Sequence, residues 1–484
     1  MEPICFELEN ITLNYLDQEI LKINRLAVHQ FDRIGIVGKN GVGKSTLLKL
    51  LAKKIEPTKG LVKSFADFGY FEQINPPKGN DVDRNLFGKL RIPDQSSHLS
   101  GGEQTRLKLA KLFSDYHQAL LIDEPTTHLD HEGRTFFLDE LRYYYGALIL
   151  ISHDRFLLDQ LVTTIWEIED GQVTVYSGNY SDYQQAKTLE REQQNQAHQQ
   201  FIKERSRLER AAQEKMFKAK KVAEASRMSK REVKAKANRM FETKSKGTSE
   251  KGIVRSAKAI EQRIEQLEQV DAVQMDRSLV FHQPESLELH NKFPIMADRI
   301  TVCVGQKELL KDVSFQFPLD KKIAITGSNG CGKSTLLKYI IHQGAGLTIS
   351  PKAKFGYFEQ MSYQFSSDET VLDFLKNRSD YDVGFLRTVL HSMLFVGTDI
   401  RKNVRSLSGG EAIRLQLCQL FLGKYNILLL DEPTNFLDVE AIEALERVMI
   451  SYQGTILFVT HDQRFIENVA DRTYEISNKS LIEK

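Results

Sequence analysis

The chain has 484 residues, of which 41% are hydrophobic, and its formal net charge is +1. This is enough apolar material for two domain-sized cores, and the overall charge by itself predicts no polyanionic partner. Apolar runs are strand-sized, and neither paired nor metal-ligand spacing relates the four cysteines, Cys5, Cys303, Cys331 and Cys418. We therefore expect a cytoplasmic protein with reduced thiols, no signal peptide and no fused membrane domain.

Two glycine-rich segments follow short apolar runs and have the composition of phosphate-binding loops. Such a loop directs backbone N–H groups and the positive end of the next helix toward phosphate oxygens. Its lysine reaches the β and γ phosphates of ATP, and its serine holds Mg²⁺. The predicted ATP-binding residues of the two loops are Gly38, Lys39, Asn40, Gly41, Val42, Gly43, Lys44, Ser45 and Thr46, and Gly327, Ser328, Asn329, Gly330, Cys331, Gly332, Lys333, Ser334 and Thr335.

Four further motifs follow each loop in the same order, which argues against a chance glycine turn. A Gly-Tyr-Phe-Glu-Gln pentapeptide ends at Gln73 and again at Gln360, and a Leu-Ser-Gly-Gly-Glu segment begins at Leu99 and again at Leu407. Each of these leucines lies 24 residues before an Asp-Glu pair, and each aspartate of the pair lies 30 residues before a histidine. The repeated spacing indicates two copies of one catalytic unit.

Hydrolysis of ATP gains mainly from positioning and charge neutralisation, so it needs a metal ion, a lysine and a group that orients or deprotonates water. The predicted Mg²⁺ partners are Ser45, Gln73 and Asp123 in the first copy and Ser334, Gln360 and Asp431 in the second. The predicted catalytic residues are two glutamates that act as general bases and two histidines that contact the γ-phosphate, namely Glu124, Glu432, His153 and His461.

Together these motifs resemble an ABC-type ATPase domain, present twice. The resemblance implies that the signature of each domain covers the ATP bound by the other, so that a monomer forms an intramolecular head-to-tail pair. It also implies an aromatic ring on adenine, and Tyr15 fits this role, whereas the corresponding residue in the second copy is Val304. The signature residues that would contact ATP are Ser100, Gly101, Gly102 and Glu103, and Ser408, Gly409, Gly410 and Glu411.

The composition changes between the two copies. Residues 201–260 contain 19 Lys or Arg and 7 Asp or Glu, a net charge of 19 − 7 = +12. A heptad pattern runs through this segment and is typical of paired helices. Its predicted seam is Ile253, Ala257, Ile260, Ile264 and Leu267, facing Phe201, Leu208, Ala212 and Met216 on an earlier helix.

We predict an α/β protein in which two P-loop ATPase domains, each a parallel sheet covered by helices, are joined by an antiparallel coiled-coil hairpin. The predicted segments are 1–182 for the first ATPase domain, 183–276 for the hairpin linker with its tip near 224–245, and 277–484 for the second ATPase domain.

A large positive excess on a long hairpin favours a polyanion such as RNA as its partner, because an ordinary solvated face balances its charges. A solvated face or a disordered tether is the alternative interpretation. The predicted RNA-binding residues at the tip are Arg227, Met228, Lys230, Arg231, Lys234, Lys236, Arg239, Met240 and Phe241.

Two ABC domains, a basic hairpin and no membrane span resemble the ABC-F family of translation factors over the whole chain. The resemblance implies binding at the tRNA exit site of the ribosome, with the linker against the P-site tRNA and large-subunit rRNA. Only 26 residues separate Gln73 from Leu99, which leaves little room for the arm of housekeeping members. The chain looks more like the Msr and Vga type, the antibiotic-resistance branch that protects the peptidyl transferase centre and exit tunnel from macrolides, lincosamides, streptogramins or pleuromutilins.

Three other functions stay open on the sequence alone. A housekeeping ABC-F factor would share every ATPase motif, and the ATPase subunit of a drug exporter would need a separate membrane partner and would leave the basic hairpin unexplained. A DNA-repair ATPase with a coiled coil would carry a paired-cysteine zinc hook, whereas no cysteine lies between Cys5 and Cys303.

Overall fold

The computed structural model describes residues 2–15, 18–72, 101–125, 129, 131–232, 254–267, 279, 281, 287–359 and 365–484. They group into two compact units, one made of Met1–Tyr183 with Arg277–Lys484 and the other of Gln184–Asp276. The first unit therefore holds both ATPase segments. The predicted division into three segments, with boundaries at residues 182 and 276, remains a prediction. The grouping places both ATPase segments in one unit.

The first ATPase segment alternates strands with helices, as its sequence predicts. Its strands are β1 (Ile4–Tyr15), β2 (Gln18–His29), β3 (Arg33–Val37), β4 (Lys59–Ser64), β5 (Phe68–Phe71), β6 (Ala119–Asp123), β7 (Ala147–Ile151), β8 (Thr164–Glu169) and β9 (Gln172–Ser177). Its helices are α1 (Lys44–Leu51), α2 (Gly101–Ser114), α3 (His131–Arg142) and α4 (Arg155–Leu161).

The larger sheet of this segment has the order β5-β6-β7-β3-β8-β9 and is parallel except for β9. Strands β6 and β7 are buried along their whole length, which is typical of a parallel sheet with both faces covered. In a parallel sheet the carboxyl ends of neighbouring strands lie at one edge, so the residues after β3, β6 and β7 meet there. A smaller antiparallel sheet has the order β2-β1-β4.

Helix α5 (Tyr180–Glu232) continues from the first unit into the second, where helix α6 covers residues 254–265. Ala212 and Ala219 of α5 and Ala257 of α6 are buried, and the Lys215 ammonium contacts the Ser256 hydroxyl. Small side chains at these positions let two helices approach closely. Met216 lies on the same face of α5, four residues after Ala212 and three before Ala219, and is 37% exposed.

The second ATPase segment repeats the architecture of the first. Its strands are β10 (Ile295–Val304), β11 (Lys307–Phe317), β12 (Lys322–Gly327), β13 (Leu347–Ile349), β14 (Phe355–Phe358), β15 (Ile427–Asp431), β16 (Thr455–Val459), β17 (Arg472–Ser477) and β18 (Ser480–Glu483). Its helices are α7 (Lys333–Ile341), α8 (Val371–Lys376), α9 (Val383–Ser392), α10 (Gly409–Phe421), α11 (Val439–Ser451) and α12 (Gln463–Val469), with 3₁₀ turns at Asp399–Arg401 and Val404–Ser406.

The two sheets of this segment have the orders β14-β15-β16-β12-β17-β18 and β11-β10-β13. Strand β15 pairs in parallel with β16, and β16 with β12, so Asp431 at the end of β15 lies at the same edge as the loop after β12. Among the described helices, none combines length and apolar composition in the way that a membrane-spanning segment requires.

Candidate functional site

Both phosphate loops lie at the carboxyl edge of a sheet, between β3 and α1 and between β12 and α7. Gly38 and Gly327 have φ angles of +145° and +142°, a region that favours glycine. A Cβ atom at Gly38 would lie 2.6 Å from the carbonyl oxygen of Ile168, and one at Gly327 would lie 2.7 Å from that of Ile476. The backbone therefore passes too close to the neighbouring strand for any side chain.

The loop lysines are buried inside these turns. The Nζ atom of Lys44 donates to the carbonyl oxygens of Gly38 and Lys39 at 2.6 and 3.1 Å, and that of Lys333 donates to Gly327 and Ser328 at 2.9 and 3.1 Å. Burial lowers the pKa of Lys44, while the nearby carboxylates of Glu124, Asp438 and Asp123 oppose that shift. An ammonium group held in this way is positioned to neutralise phosphate charge.

The predicted metal partners meet at the same edge in each copy. The Ser334 hydroxyl donates to Asp431 Oδ1 at 2.9 Å, and a hydrogen bond from Ser45 also reaches Asp123. Burial raises the pKa of both aspartates, and these hydroxyl hydrogen bonds oppose the rise. Gln73 and Gln360 lie outside the described residues.

The serine and aspartate side chains of each copy have the chemistry of Mg²⁺ ligands. Mg²⁺ prefers one or two carboxylates together with substrate phosphates and water, and it rarely needs a cage made of protein alone. Asp123 Oδ1 is buried and has no hydrogen-bond partner among the described residues, so an oxygen is available for a cation. No cluster of three or more His, Cys, Asp or Glu side chains suited to a metal ion occurs within the described ranges. A serine and an aspartate in each copy therefore suit Mg²⁺ with phosphate and water.

The predicted bases directly follow these aspartates. Glu124 and Glu432 have φ angles of +49° and +52°, which are unfavourable for a residue with a side chain. Hydrogen bonds from their backbone N–H groups to Ile151 and Val459, at 3.0 and 2.9 Å, hold this conformation. The tight turn aims each carboxylate back across the sheet edge.

Each predicted histidine lies against the predicted base of its own copy. His153 Nε2 lies 3.2 Å from Glu124 Oε1, and His461 Nε2 lies 3.3 Å from Glu432 Oε1. Burial raises the pKa of Glu124 to about 8 and that of Glu432 to about 7, against the attraction of Lys44 and Lys333. A carboxyl that titrates near neutral pH accepts a proton from water more readily than an ordinary glutamate does.

The first histidine is neutral in this environment. Burial, and then the positive charge of Lys44, lowers the pKa of His153 to about 3. A neutral imidazole has one donor and one acceptor nitrogen, so it can bridge a carboxyl group and a phosphate oxygen. His153 can therefore orient groups without adding a charge to the site.

The second signature lies beside the first phosphate loop. Ser408 and Glu411 form a capping box at the start of α10, in which Glu411 accepts from the Ser408 N–H at 2.8 Å. A Cβ atom at Gly410 would lie 3.5 Å from Asn40 Nδ2. In the first signature, Gly101, Gly102 and Glu103 begin α2, and Ser100 lies outside the described residues.

The sequence did not predict a second contact between the first phosphate loop and the second ATPase segment. The Asn40 N–H donates to Asp438 Oδ2 at 2.9 Å, its side-chain amide donates to the carbonyl oxygen of Phe436 at 3.2 Å, and Lys39 lies 4.0 Å from Glu440. The repeated spacing could have marked this position, because Asp130 and Asp438 each lie seven residues after the aspartate of an Asp-Glu pair.

A cavity of about 370 Å³ lies between the two ATPase segments at the first site. Its lining combines predicted catalytic groups of the first copy with residues of the second, including Lys44, Asp123, Glu124, His153, Phe436 and His461. A second cavity of about 820 Å³ adjoins the other phosphate loop and is lined by residues such as Gly327, Ser328, Cys331, Arg134 and Asp154. Both cavities therefore take residues from the two segments, as a shared nucleotide site would.

The position predicted for adenine stacking differs between the copies. Tyr15 lies at the end of β1 and is 65% exposed, so its ring is available to a ligand. Val304 at the end of β10 is 55% exposed and offers no ring.

Comparison with known proteins identifies relatives over the full length. A family model described as ABC transporter matches residues 21–76, 78–127 and 310–435. The erythromycin resistance ATP-binding protein MsrA of Staphylococcus epidermidis is 40% identical over 486 residues, which cover 99% of each chain. The ribosome protection protein VmlR of Bacillus subtilis is 30% identical over 98% of this chain and 87% of its own length.

Among solved structures, RNase-L Inhibitor superposes with a TM-score of 0.63 at 19% identity, covering 96% of this chain and 87% of that chain. This likeness supports the fold alone. Together with the family match it confirms the predicted fold class of two ABC ATPase domains with a helical region between them.

ABC ATPase domains bind ATP with Mg²⁺, and the prediction that this chain is an ATPase is confirmed. Identity of 40% along 99% of both chains is far more specific than the ATPase motifs, which every ABC protein shares. The chain therefore belongs to the ABC-F family of ATPases, in its Msr-like antibiotic-resistance branch.

Proposed function

We propose that this chain is an ATP-driven ribosome protection factor that removes antibiotics from the peptidyl transferase centre or exit tunnel of the large subunit. The observation that carries the proposal is the full-length similarity to an erythromycin resistance protein, supported by the similarity to a ribosome protection protein. Macrolides are accordingly the first drug class to test, ahead of lincosamides, streptogramins and pleuromutilins.

Each ATP would bind with its phosphates at Lys44 or Lys333, and Tyr15 would stack on adenine in the first site. The Ser45 and Asp123 side chains, and their counterparts Ser334 and Asp431, would hold Mg²⁺, which supplies neutralisation of phosphate charge when bound. The glutamate after each aspartate accepts a proton from the attacking water, and the adjacent histidine keeps that carboxyl in place. The position of Gly410 beside Asn40 of the first phosphate loop supports ATP capping by the opposite signature.

The head-to-tail pair would form within one chain, so the protein would work as a monomer. Support comes from the contacts of Asn40 with Phe436 and Asp438, which join the two ATPase segments of the same polypeptide. Binding of ATP would close the two domains, and hydrolysis would release them.

Residues 183–276 would be the linker that reaches large-subunit rRNA and the P-site tRNA. Its described part supports a polyanionic partner, because residues 201–221 hold 8 Lys or Arg and 3 Asp or Glu, a net charge of 8 − 3 = +5. Arg205 and Arg207 keep 55% and 81% of their side chains exposed. The proposed tip residues Lys234, Lys236, Arg239, Met240 and Phe241 lie outside the described residues, and the side chains of Arg227, Met228, Lys230 and Arg231 lie outside the described part as well.

Cell-free translation titrated with one drug of each class, with and without the purified protein, tests the proposal. The protein should raise the inhibitory concentration of at least one class. A variant in which a short Gly/Ser turn replaces residues 226–241 should keep its ATPase activity and lose the protection. Absence of protection from every class would contradict the proposal, and reduced drug accumulation in cells without protection in the cell-free assay would favour an exporter subunit.

A further inference from the structure

The turns that contain His153 and His461 are equivalent in the two ATPase segments. Asp154 caps the N-terminus of α4 and Asp462 caps that of α12, and the two residues are 462 − 154 = 308 positions apart. The same offset relates His153 to His461. We call His153–Asp154 the first switch turn and His461–Asp462 the second switch turn.

Two arginines of the first ATPase segment hold the second switch turn from across the interface. Arg134 of α3 donates to the carbonyl oxygen of His461 at 2.6 Å, and the guanidinium of Arg155 lies 3.5 Å from the carboxylate of Asp462. Arg155 is 1% exposed and also pairs with Glu446 of α11. A buried guanidinium with two carboxylates of the opposite segment is a strong geometric constraint, because breaking such a pair leaves an unpaired buried charge.

The equivalent positions in the second segment have different chemistry. Ile442 corresponds to Arg134 and Gln463 to Arg155, because each lies 308 positions further along the chain. Leu138 corresponds to Glu446 in the same way. These uncharged residues cannot make the reciprocal ionic contacts to the first switch turn. The first turn instead has its Asp154 paired at 3.0 Å with Arg134 of its own segment.

We propose that Arg134 and Arg155 are positioning residues for ATP hydrolysis at the second site. From the opposite segment they hold the second switch turn, and so they keep His461 against Glu432 while the two segments are in contact. The distance from His461 Nε2 to Glu432 Oε1 is 3.3 Å, and a displacement of about 1 Å in a catalytic constellation can cost on the order of 100-fold in rate. The second segment does reach α4 of the first segment, where the Arg464 guanidinium donates to Asp159 at 2.8 Å, but that contact lies beyond the first switch turn. Support of the switch turn itself from the opposite segment is therefore a feature of the second site.

The inference rests on the ATPase activity and can be tested one site at a time. Glu124→Gln leaves hydrolysis to the second site, and Glu432→Gln leaves it to the first. In each background, Arg155→Gln with Glu446→Leu installs the residues that stand at positions 463 and 138. The double change removes the Arg155–Glu446 pair as a whole and leaves Asp462 its cap hydrogen bond from the Phe465 N–H, and thermal unfolding checks that the variant folds.

The expected result is a split between the two sites. With only the second site active, the double change should lower kcat at least about tenfold with less than a twofold change in KM, because the turn is released but the phosphate loop is intact. With only the first site active, kcat should change less than about twofold. Equal losses in both backgrounds would indicate a general failure of domain pairing and would overturn the inference, as would an unchanged kcat in both.

A second variant and a control complete the experiment. Arg134→Met removes the hydrogen bond to the His461 carbonyl and the ion pair with Asp154, and leaves Asp154 its two cap hydrogen bonds, from the N–H groups of Phe156 and Leu157. It should lower kcat more with the second site active than with the first, and equal effects would contradict the proposal. Arg142→Met, on the same helix, removes a hydrogen bond to the Gln160 side chain and should leave kcat unchanged in both backgrounds.

Discussion

The two predicted ATP sites contain the same proposed catalytic residues but make different contacts with the opposite ATPase segment. At the first site, the second segment reaches the phosphate loop through Phe436 and Asp438, which contact Asn40. At the second site, the first segment reaches the switch turn through Arg134 and Arg155. The chemistry has been duplicated while the residues around it have diverged, so equal motifs do not make equal sites.

The adenine end of the sites differs as well. Tyr15 offers an exposed ring to the first site, whereas Val304 occupies the equivalent position in the second. The proposed catalytic groups, the interface contacts and the adenine contacts can therefore be mutated separately. Each set of mutations tests how far the two sites differ.

The largest effect is expected from the proposed bases. Glu124→Gln or Glu432→Gln alone should lower kcat at the altered site on the order of 100-fold or more, because the proton acceptor is lost. ATP binding should persist, since each phosphate loop and its lysine are intact. Phosphate release measures hydrolysis, and binding of a fluorescent ATP analogue measures ATP binding. The ratio of the phosphate-release rates of the two single variants gives the share of hydrolysis at each site.

The double variant, with both glutamates replaced, should bind ATP and release almost no phosphate. It should also stay on ribosomes in the presence of ATP, as judged by sedimentation. Phosphate release near the rate of the unaltered protein would rule out these residues as the bases.

A smaller effect is expected at the interface contact of the first site. Asp438→Ser keeps an oxygen that can cap α11 but is too short to reach the Asn40 N–H. Loss of a charge-assisted hydrogen bond of about 1.5 kcal/mol should lower kcat/KM of the first site roughly tenfold in the Glu432→Gln background. In the Glu124→Gln background the change should be under about twofold. A similar loss in both backgrounds would show that the contact serves the whole interface.

The smallest effect is expected at the adenine position. Tyr15→Ala should weaken ATP binding at the first site about fivefold, since aromatic stacking contributes roughly 1 kcal/mol. Val304→Tyr should strengthen binding at the second site by a similar factor. Both positions are exposed, so neither change should cost much stability. Titration of ATP into the hydrolysis-deficient protein would measure both, and an unchanged affinity in Tyr15→Ala would exclude stacking by this ring.

Most of the site could be predicted from the sequence because its parts are local. A phosphate loop is a strand, a glycine turn and the start of a helix, so Lys44 and Lys333 can be assigned from a few adjacent residues. Asp123 and Asp431 end apolar strands, and a parallel sheet brings their edge to the loops. The heptad likewise predicted the buried Ala257 and Ala212, whereas the extent of burial along the seam, 6% exposure at Ala212 against 37% at Met216, depends on how closely the two helices approach.

The sequence by itself determined the two ATPase folds, the order of their proposed catalytic residues and the positive charge between them, because these depend on neighbours along the chain. Only the tertiary structure decided that Asn40 meets Asp438 and that Arg155 pairs with Glu446, across 398 and 291 residues. It also decided the unfavourable backbone angles of Glu124 and Glu432. Contacts of this kind depend on how two packed surfaces meet, and no periodicity or local spacing in the chain records that fit.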